Sequence, residues 1–155
     1  MRGIIFAEKG KTIFQEEPTP EPKPGHLLCQ SLYTGLTNGT ERNVLMGGNY
    51  SSPWPCRLGY QNVGRVLAVG DGVEGWNEGD LLYNGDCANH VQYFNANPLT
   101  LTLKLSGDID PTHAALFGMA SVATHDVRRA EVQLGQRVLV VGAGPIGQFT
   151  AQVAR

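Results

Sequence analysis

Three glycines near the end of the chain have the spacing of a turn that binds the pyrophosphate of a dinucleotide. Gly142, Gly144 and Gly147 form the pattern G-x-G-x-x-G, with Pro145 and Ile146 between the last two. In such a turn the first glycine permits a tight bend, the second lets the backbone approach the phosphates, and the third lets helix and strand pack closely. The start of the following helix offers free N–H groups and a partial positive charge to the anion. These five residues are therefore predicted to bind the cofactor.

The elements on either side of this turn have the order that the motif requires. Residues 138–141 are four consecutive apolar β-formers, which predict a strand buried on both faces. Pro145 suits the first turn of a helix, and Ile146, Phe149 and Val153 continue at helical spacing. The alternative is an ordinary β-turn-α unit that uses its glycines for packing alone. The acidic residue that binds the ribose would lie roughly 20 residues beyond the turn, outside this sequence, so NAD and NADP are not distinguished.

The charge balance of the chain argues against nucleic acid and anionic membranes as partners. Its 155 residues include 12 basic and 14 acidic side chains, for a formal net charge of -2, without a run of like charges. The apolar stretch at the N-terminus is too short for a signal peptide or a membrane span. Three widely spaced cysteines, Cys29, Cys56 and Cys87, are typical of free thiols in a reducing compartment, so we expect a cytoplasmic protein.

Most of the chain has the pattern of a turn-rich β domain. Its 20 glycines and 9 prolines separate short runs of β-forming residues. Several short strands at this spacing are typical of a β-barrel or a β-sandwich. The predicted strands cover residues 4–7, 12–16, 27–33, 60–69, 80–83, 88–94 and 99–105.

The first helix is predicted only late in the chain. Asp110 suits the N-cap, Pro111 suits the first helical position, and Arg128 and Arg129 favour the C-terminal end. Small residues keep this helix thin, which permits either simple packing or the close approach of another backbone or a flat ligand. Its apolar stripe consists of Leu116, Met119, Ala120, Ala123 and Val127.

The order of these elements resembles that of the medium-chain dehydrogenase/reductase superfamily, the relatives of alcohol dehydrogenase. Residues 58–66 resemble the family's Gly-His-Glu…Gly-x-Val strand, residues 69–80 its Val-Gly…Val…Gly-Asp hairpin, and residues 134–142 the approach to its cofactor fold. The resemblance implies a mainly β fold, with a GroES-like, partly open β-barrel over residues 1–135 as the catalytic (substrate) domain. A helix and the start of a dinucleotide-binding Rossmann domain, one βα unit over residues 136–155, would complete the chain.

The same resemblance predicts that the chain has no zinc site. In zinc-dependent members the metal is held by a cysteine after the third strand, by the His-Glu pair and by a ligand in the late helix. The matching positions here are Thr37, Tyr60 with Gln61, and Met119. Zinc prefers thiolate, imidazole or carboxylate ligands, and the family's four-cysteine structural zinc loop is absent as well. The chain therefore resembles the zinc-lacking branch, which includes quinone reductases, enoyl reductases and a bacteriochlorophyll-pathway dehydrogenase.

Without a metal, a side chain must polarise the carbonyl or stabilise the developing oxyanion. Tyr60 stands where the histidine ligand would be and could donate a hydrogen bond or a proton, with simple packing as the alternative. Thr40 and Arg42 lie in one polar turn and could contact substrate or pyrophosphate, or be ordinary surface residues. His125 is the histidine expected nearest to the cleft. We take Tyr60, Thr40 and His125 as candidate catalytic residues and Arg42 as a candidate cofactor contact.

The resemblance implies an NAD(P)-dependent, zinc-independent oxidoreductase that transfers hydride to or from a carbonyl, enoyl or quinone-like small molecule. The alternative is a non-catalytic GroES-like module kept for packing or partner binding. Whether the chain is itself an enzyme stays open, because most of the cofactor domain is not encoded and the fragment is expected to be inactive alone. The strand over residues 138–141 would have unpaired edges that recruit another chain, so we expect a homo-oligomer.

Overall fold

The computed structural model describes residues 1–50 and 53–155, and it confirms a mainly β fold built from antiparallel sheets. The described residues divide into two compact units, Met1–Ala115 and Leu116–Arg155, and each unit is described by itself. The division lies before the late helix, whereas the expected domain boundary lies after it, at residue 135. The assignment of functional domains therefore stays a prediction.

The first unit contains a two-stranded hairpin and a five-stranded sheet. The strands are β1 Arg2–Glu8, β2 Lys11–Glu16, β3 Leu27–Thr34, β4 Asn62–Val69, β5 Leu81–Asn84, β6 Tyr93–Ala96 and β7 Thr102–Lys104. β1 and β2 are antiparallel and turn at Gly10, where φ is +74°. The other strands are ordered β6-β3-β4-β5-β7, and every neighbouring pair is antiparallel.

The core of this unit is formed by side chains that alternate inward along the sheet. Leu27, Cys29, Val66 and Leu82 are almost completely buried in one cluster with Phe94. Burial raises the pKa of the Cys29 thiol to about 12, because the thiolate would lose its hydration. The cluster determines which face of each central strand is buried. It therefore also determines where the loop after β3 and the loop before β4 leave the sheet.

The predicted strand at residues 99–105 forms only over Thr102–Lys104, and its leucines other than the buried Leu105 are exposed. β7 places Thr102 inward, where its hydroxyl accepts a hydrogen bond of 3.0 Å from Nδ2 of Asn84. Leu101 and Leu103 are 65% and 56% exposed. Asn84 is 1% exposed, and a buried amide without a partner costs free energy. The inward Thr102 supplies that partner, so the polar pair favours the observed register.

The single helix predicted after Asp110 is two helices in the structure. Asp110 caps α2 (Pro111–Ala114) as expected, since its Oδ1 accepts a hydrogen bond of 2.8 Å from the Thr112 N–H. The helix is then interrupted before α3 (Phe117–Arg129), and a short helix α1 (Thr40–Leu45) follows β3 in the first unit. None of the helices in residues 1–50 and 53–155 combines the length and the apolar character that a membrane span requires.

The second unit contains α3 packed against α4 (Pro145–Val153), with the glycine turn between them. The strand predicted over residues 138–141 is absent, because that segment pairs with no strand in the part of the chain that the structure describes. Leu139 and Val141 are instead 87% and 89% exposed. A β-strand exists through hydrogen bonds to a neighbour, and apolar sequence alone does not supply one.

Candidate functional site

The three glycines of the turn differ in backbone conformation and in surroundings. Gly142 has a φ of +104°, a conformation that side chains rarely adopt. Gly144 is the N-cap of α4 and has open space where a side chain would begin, and Pro145 occupies the first turn. A side chain at Gly147 would overlap the carbonyl oxygen of Gly142. The first glycine therefore bends the chain, the second keeps its surface clear, and the third permits close packing.

The start of α4 offers donors that suit an anion. The first i→i−4 hydrogen bond of the helix runs from the Gln148 N–H to the Gly144 carbonyl, at 2.9 Å. The N–H groups of Ile146 and Gly147 precede that bond and have no acceptor within the helix. The Gln148 side chain donates a hydrogen bond of 2.9 Å to the Ala143 carbonyl, which ties the helix to the turn. These features fit the pyrophosphate of a dinucleotide.

The four other candidate residues lie on α1, just before β4 and on α3. Thr40 and Arg42 share α1, where Thr40 is half-buried and Arg42 is exposed. Tyr60 is half-buried and lies just before β4, so the strand predicted to begin at residue 60 begins at Asn62 instead. His125 is exposed on α3, in the second unit. Only Thr40 and Arg42 are brought together by one element.

The sequence analysis missed a buried, hydrogen-bonded pair formed by His90 and Glu41. Nε2 of His90 lies 2.9 Å from Oε1 of Glu41, and the two side chains are 3% and 4% exposed. The other ring nitrogen, Nδ1, lies 2.9 Å from the Thr34 hydroxyl. The second carboxylate oxygen of Glu41 accepts a hydrogen bond of 2.6 Å from the Thr37 N–H. One network therefore joins the end of β3, the loop after it, α1 and the segment before β6.

Backbone contacts position both members of this pair. The His90 carbonyl accepts a hydrogen bond of 2.9 Å from Ile4, and its N–H donates one of 3.0 Å to Leu58. Glu41 occupies the first turn of α1, where a carboxylate is favoured. The partners are 49 residues apart in the chain, and the sequence has no local pattern that connects them. The sequence offered only two separate signals. Glu41 is an acidic residue in a polar segment, and His90 is a histidine that is not spaced from other residues as a metal ligand would be.

A cavity of about 550 Å³ adjoins the pair. Its wall is formed by β1, β2, α1 and the loop before α1, and both Glu41 and His90 reach it. Most of the remaining lining is apolar, and Arg42 contributes a guanidinium. The volume is within the range of small-molecule sites.

The positions that match zinc ligands carry a hydroxyl, a phenol, an amide and a thioether. Thr37 is buried and contributes its N–H to Glu41, Gln61 is completely buried, and Tyr60 is half-buried. Met119, the fourth position, belongs to the second unit. Hydroxyl, phenol, amide and thioether groups are not the donors that zinc selects. No cluster of three or more His, Cys, Asp or Glu side chains suited to a metal occurs in residues 1–50 and 53–155.

Comparisons with known proteins agree with this architecture. The chain is 25% identical, over 186 aligned positions, to sorbitol dehydrogenase of Halalkalibacterium halodurans, an alignment that covers 100% of this chain and 53% of that protein. A putative zinc-binding dehydrogenase of Sinorhizobium meliloti, solved with NADP, superposes with a TM-score of 0.83 at 22% identity, covering 99% of this chain and 52% of that one. Acetophenone reductase of Geotrichum candidum, solved with NAD, superposes with a TM-score of 0.85 at 21% sequence identity. That superposition covers 99% of this chain and 54% of the reductase.

Two of these proteins are named as dehydrogenases and one as a reductase, and the chain spans about half the length of each. The two structural likenesses establish the fold, and one of those proteins was solved with NADP and the other with NAD. The model of the alcohol dehydrogenase GroES-like domain matches residues 23–130, which is more than half of the chain. The chain therefore belongs to the family of alcohol dehydrogenase GroES-like domains.

Proposed function

We propose that this chain serves an NAD(P)-dependent, zinc-independent oxidoreductase that acts on a carbonyl, enoyl or quinone-like small molecule. The observation that carries the proposal is the glycine turn before α4. In this turn Gly142 has a positive φ, and Gly147 packs directly against the Gly142 carbonyl. The family membership and the dehydrogenase relatives support the same reading. NAD and NADP stay equal candidates, since neighbouring structures were solved with each of them.

In this proposal the turn holds the pyrophosphate of the cofactor. Gly144 leaves room for the phosphates, and the N–H groups of Ile146 and Gly147 donate to their oxygens. Pro145 fixes the direction of the first turn. When bound, the nicotinamide supplies or accepts the hydride. Arg42, which is exposed and positively charged, is proposed as a further contact to substrate or pyrophosphate.

The reacting oxygen needs a hydrogen-bond donor as charge develops on it. We propose Tyr60 for this role, because its phenol is half-buried at the position of a metal ligand in zinc-dependent relatives. Thr40 and His125 remain candidates, as a hydroxyl at the start of α1 and an exposed imidazole on α3. Thr37, Tyr60, Gln61 and Met119 do not suit zinc, so the chemistry is assigned to side chains and cofactor only.

We further propose that residues 1–135 form the substrate domain and residues 136–155 the start of a Rossmann domain. The exposed apolar residues of the segment 138–141 support association with another copy. The free thiols Cys29, Cys56 and Cys87 support a reducing, cytoplasmic location.

Hydride transfer by the protein expressed from its natural gene tests this function. Oxidation of NADH or NADPH would be followed by absorbance with an aldehyde, an enone and a quinone as substrates. Turnover with one class, reduced strongly by Tyr60→Phe, would support the proposal. No turnover, together with no dinucleotide binding, would favour the non-catalytic module. The exposed apolar segment 138–141 is the observation that favours the non-catalytic module, because such a segment suits binding to a partner chain.

A further inference from the structure

The sequence contains two Asn-Gly pairs, Asn38-Gly39 and Asn84-Gly85. In such a pair the backbone nitrogen of the glycine can attack the side-chain amide carbon of the asparagine, because glycine has no side chain that blocks the approach. The two pairs lie in opposite environments in this fold. Their chemistry is the same, so any difference in their reactivity comes from the structure around them.

Asn38 and Gly39 are both exposed, in the loop between β3 and α1. A side chain built at Gly39 would meet no atom within 4 Å, so water has access to the backbone at this point. Among the residues that the structure describes, no hydrogen bond involves the side-chain amide of Asn38 or the N–H of Gly39. The two groups can therefore approach each other without breaking a hydrogen bond to those residues.

Asn84 and Gly85 are held by three hydrogen bonds. Asn84 is 1% exposed. Its Nδ2 donates a hydrogen bond of 3.0 Å to the Thr102 hydroxyl, and its Oδ1 accepts one of 3.2 Å from the Asp86 N–H. The Gly85 N–H donates a hydrogen bond of 2.8 Å to the Leu101 carbonyl. Reaction at this pair would break these bonds, so the folded chain must open locally before it can occur.

We propose that Asn38-Gly39 is a site of self-modification, at which water converts Asn38 to isoaspartate and aspartate. The Gly39 nitrogen loses its proton and forms a bond to Cγ of Asn38, and the side-chain nitrogen leaves as ammonia. Water then opens the resulting cyclic imide. Opening at the side-chain carbonyl gives aspartate, and opening at the main-chain carbonyl gives isoaspartate, in which the backbone runs through Cβ and Cγ. The reaction consumes only water and does not depend on the function proposed above.

The isoaspartyl product disturbs the loop that holds the buried His90–Glu41 pair. Two hydrogen bonds close the segment 37–41. The Thr37 N–H donates to Oε2 of Glu41 at 2.6 Å, and the Glu41 N–H donates to the Thr37 carbonyl at 3.0 Å. Isoaspartate at position 38 adds one atom to the backbone inside this closed segment, so the two bonds cannot both keep their geometry. The product also adds a carboxylate to the cavity that Asn38 lines together with Glu41 and Arg42.

Incubation of the folded protein at mildly alkaline pH, followed by proteolysis and mass spectrometry, tests the site. We expect Asn38 to react about tenfold or more faster than Asn84, because Asn84 reacts only after local opening. In concentrated urea the two rates should become similar. Gly39→Ala should slow the reaction, because its methyl group hinders the attack, and Gly39 has a φ of -68° and open space that accept alanine. Equal rates at the two asparagines in the folded protein, or an unchanged rate in Gly39→Ala, would overturn the proposal.

The effect on the loop is measured with the isoaspartyl form, separated by chromatography and identified with a protein isoaspartyl methyltransferase. Asn38→Asp is the matched control, because it carries the same charge without the additional backbone atom. The isoaspartyl form should unfold at a lower urea concentration than Asn38→Asp, and the NMR signals of the His90 ring should differ between the two. Equal unfolding midpoints together with equal His90 signals would overturn the proposed effect on the buried pair.

Discussion

Nε2 of His90 lies 2.9 Å from Oε1 of Glu41, and the pair is more than nine-tenths buried. The Glu41 carboxylate also accepts a hydrogen bond from the Thr37 N–H, and Nδ1 of His90 is hydrogen-bonded to the Thr34 hydroxyl. The network thus holds the loop between β3 and α1 from both ends. This loop contains Thr37, the position that matches a metal ligand of zinc-dependent relatives. The position of this loop therefore depends on a buried pair that joins α1 to the segment before β6.

Loss of one member of this pair should strongly destabilise the first unit. Glu41→Ala leaves a buried imidazole and a buried N–H without their acceptor, and we expect each of the two to lower the free energy of unfolding by about 1 to 3 kcal/mol. Urea denaturation measures it. Glu8→Ala is the control, since Glu8 pairs with Lys11 at the surface and both side chains are more than half exposed. Similar unfolding midpoints for the two variants would show that the buried pair contributes little.

The stability of the fold should fall at alkaline pH because of Cys29. Burial raises the pKa of its thiol to about 12, against 9.0 without burial. Above pH 9 the unfolded chain loses this proton while the folded chain keeps it, so each further rise in pH favours the unfolded state. The contribution of the protonated Cys29 thiol to the free energy of unfolding is complete below about pH 9 and is lost as the pH approaches 12.

Urea unfolding at several pH values between 8 and 11 checks this dependence. Cys29→Ala should flatten the decline of stability with pH, whereas Cys87→Ala, at an exposed thiol, should not. An unchanged slope in the Cys29 variant would assign the decline to other groups.

No tightly bound zinc should accompany the purified protein. The matching positions Thr37, Tyr60, Gln61 and Met119 offer weak donors, and zinc bound by such donors would exchange rapidly. Elemental analysis after purification without added metal, and again after dialysis against a chelator, measures the content. Stoichiometric zinc that survives the chelator would contradict the zinc-independent mechanism.

Self-association should depend on the exposed apolar segment before the glycine turn. Leu139 and Val141 are 87% and 89% exposed, and an unpaired apolar segment of β-forming residues is a template for a second chain. Sedimentation equilibrium at several concentrations should show a reversible oligomer. Leu139→Lys should shift it toward the monomer, and Leu99→Lys, at an equally exposed leucine of the first unit, should not. A strict monomer at every concentration would end this proposal.

The sequence predicted those features that are determined locally. The glycine turn follows from steric demands at Gly142 and Gly147, and the cap of α2 follows from the chemistry of Asp110. The His90–Glu41 pair was not predictable in this way, because it joins positions 49 residues apart. The direction in which β7 faces depends on Asn84, whose burial only the assembled sheet reveals. The strand over residues 138–141 requires a neighbour, which local propensity cannot provide.

Binding of NADPH to the glycine turn tests the central claim most directly. The titration follows the amides of residues 142–148 by NMR in three proteins: the 155-residue chain, Gly144→Ala and Gly107→Ala. Gly144 has an ordinary φ of -71° and open space around it, so alanine there keeps the fold but occupies the surface that the phosphates would approach. Gly107 also has open space and lies outside the turn.

Because most of a Rossmann sheet contributes to cofactor binding, the chain by itself should bind in the millimolar range, about 4 kcal/mol. We expect saturable shifts at the turn in the unmodified chain and in Gly107→Ala, and clearly weaker binding in Gly144→Ala. Absence of shifts at residues 142–148, or equal affinity of all three proteins, would contradict the assignment of this turn as a dinucleotide site.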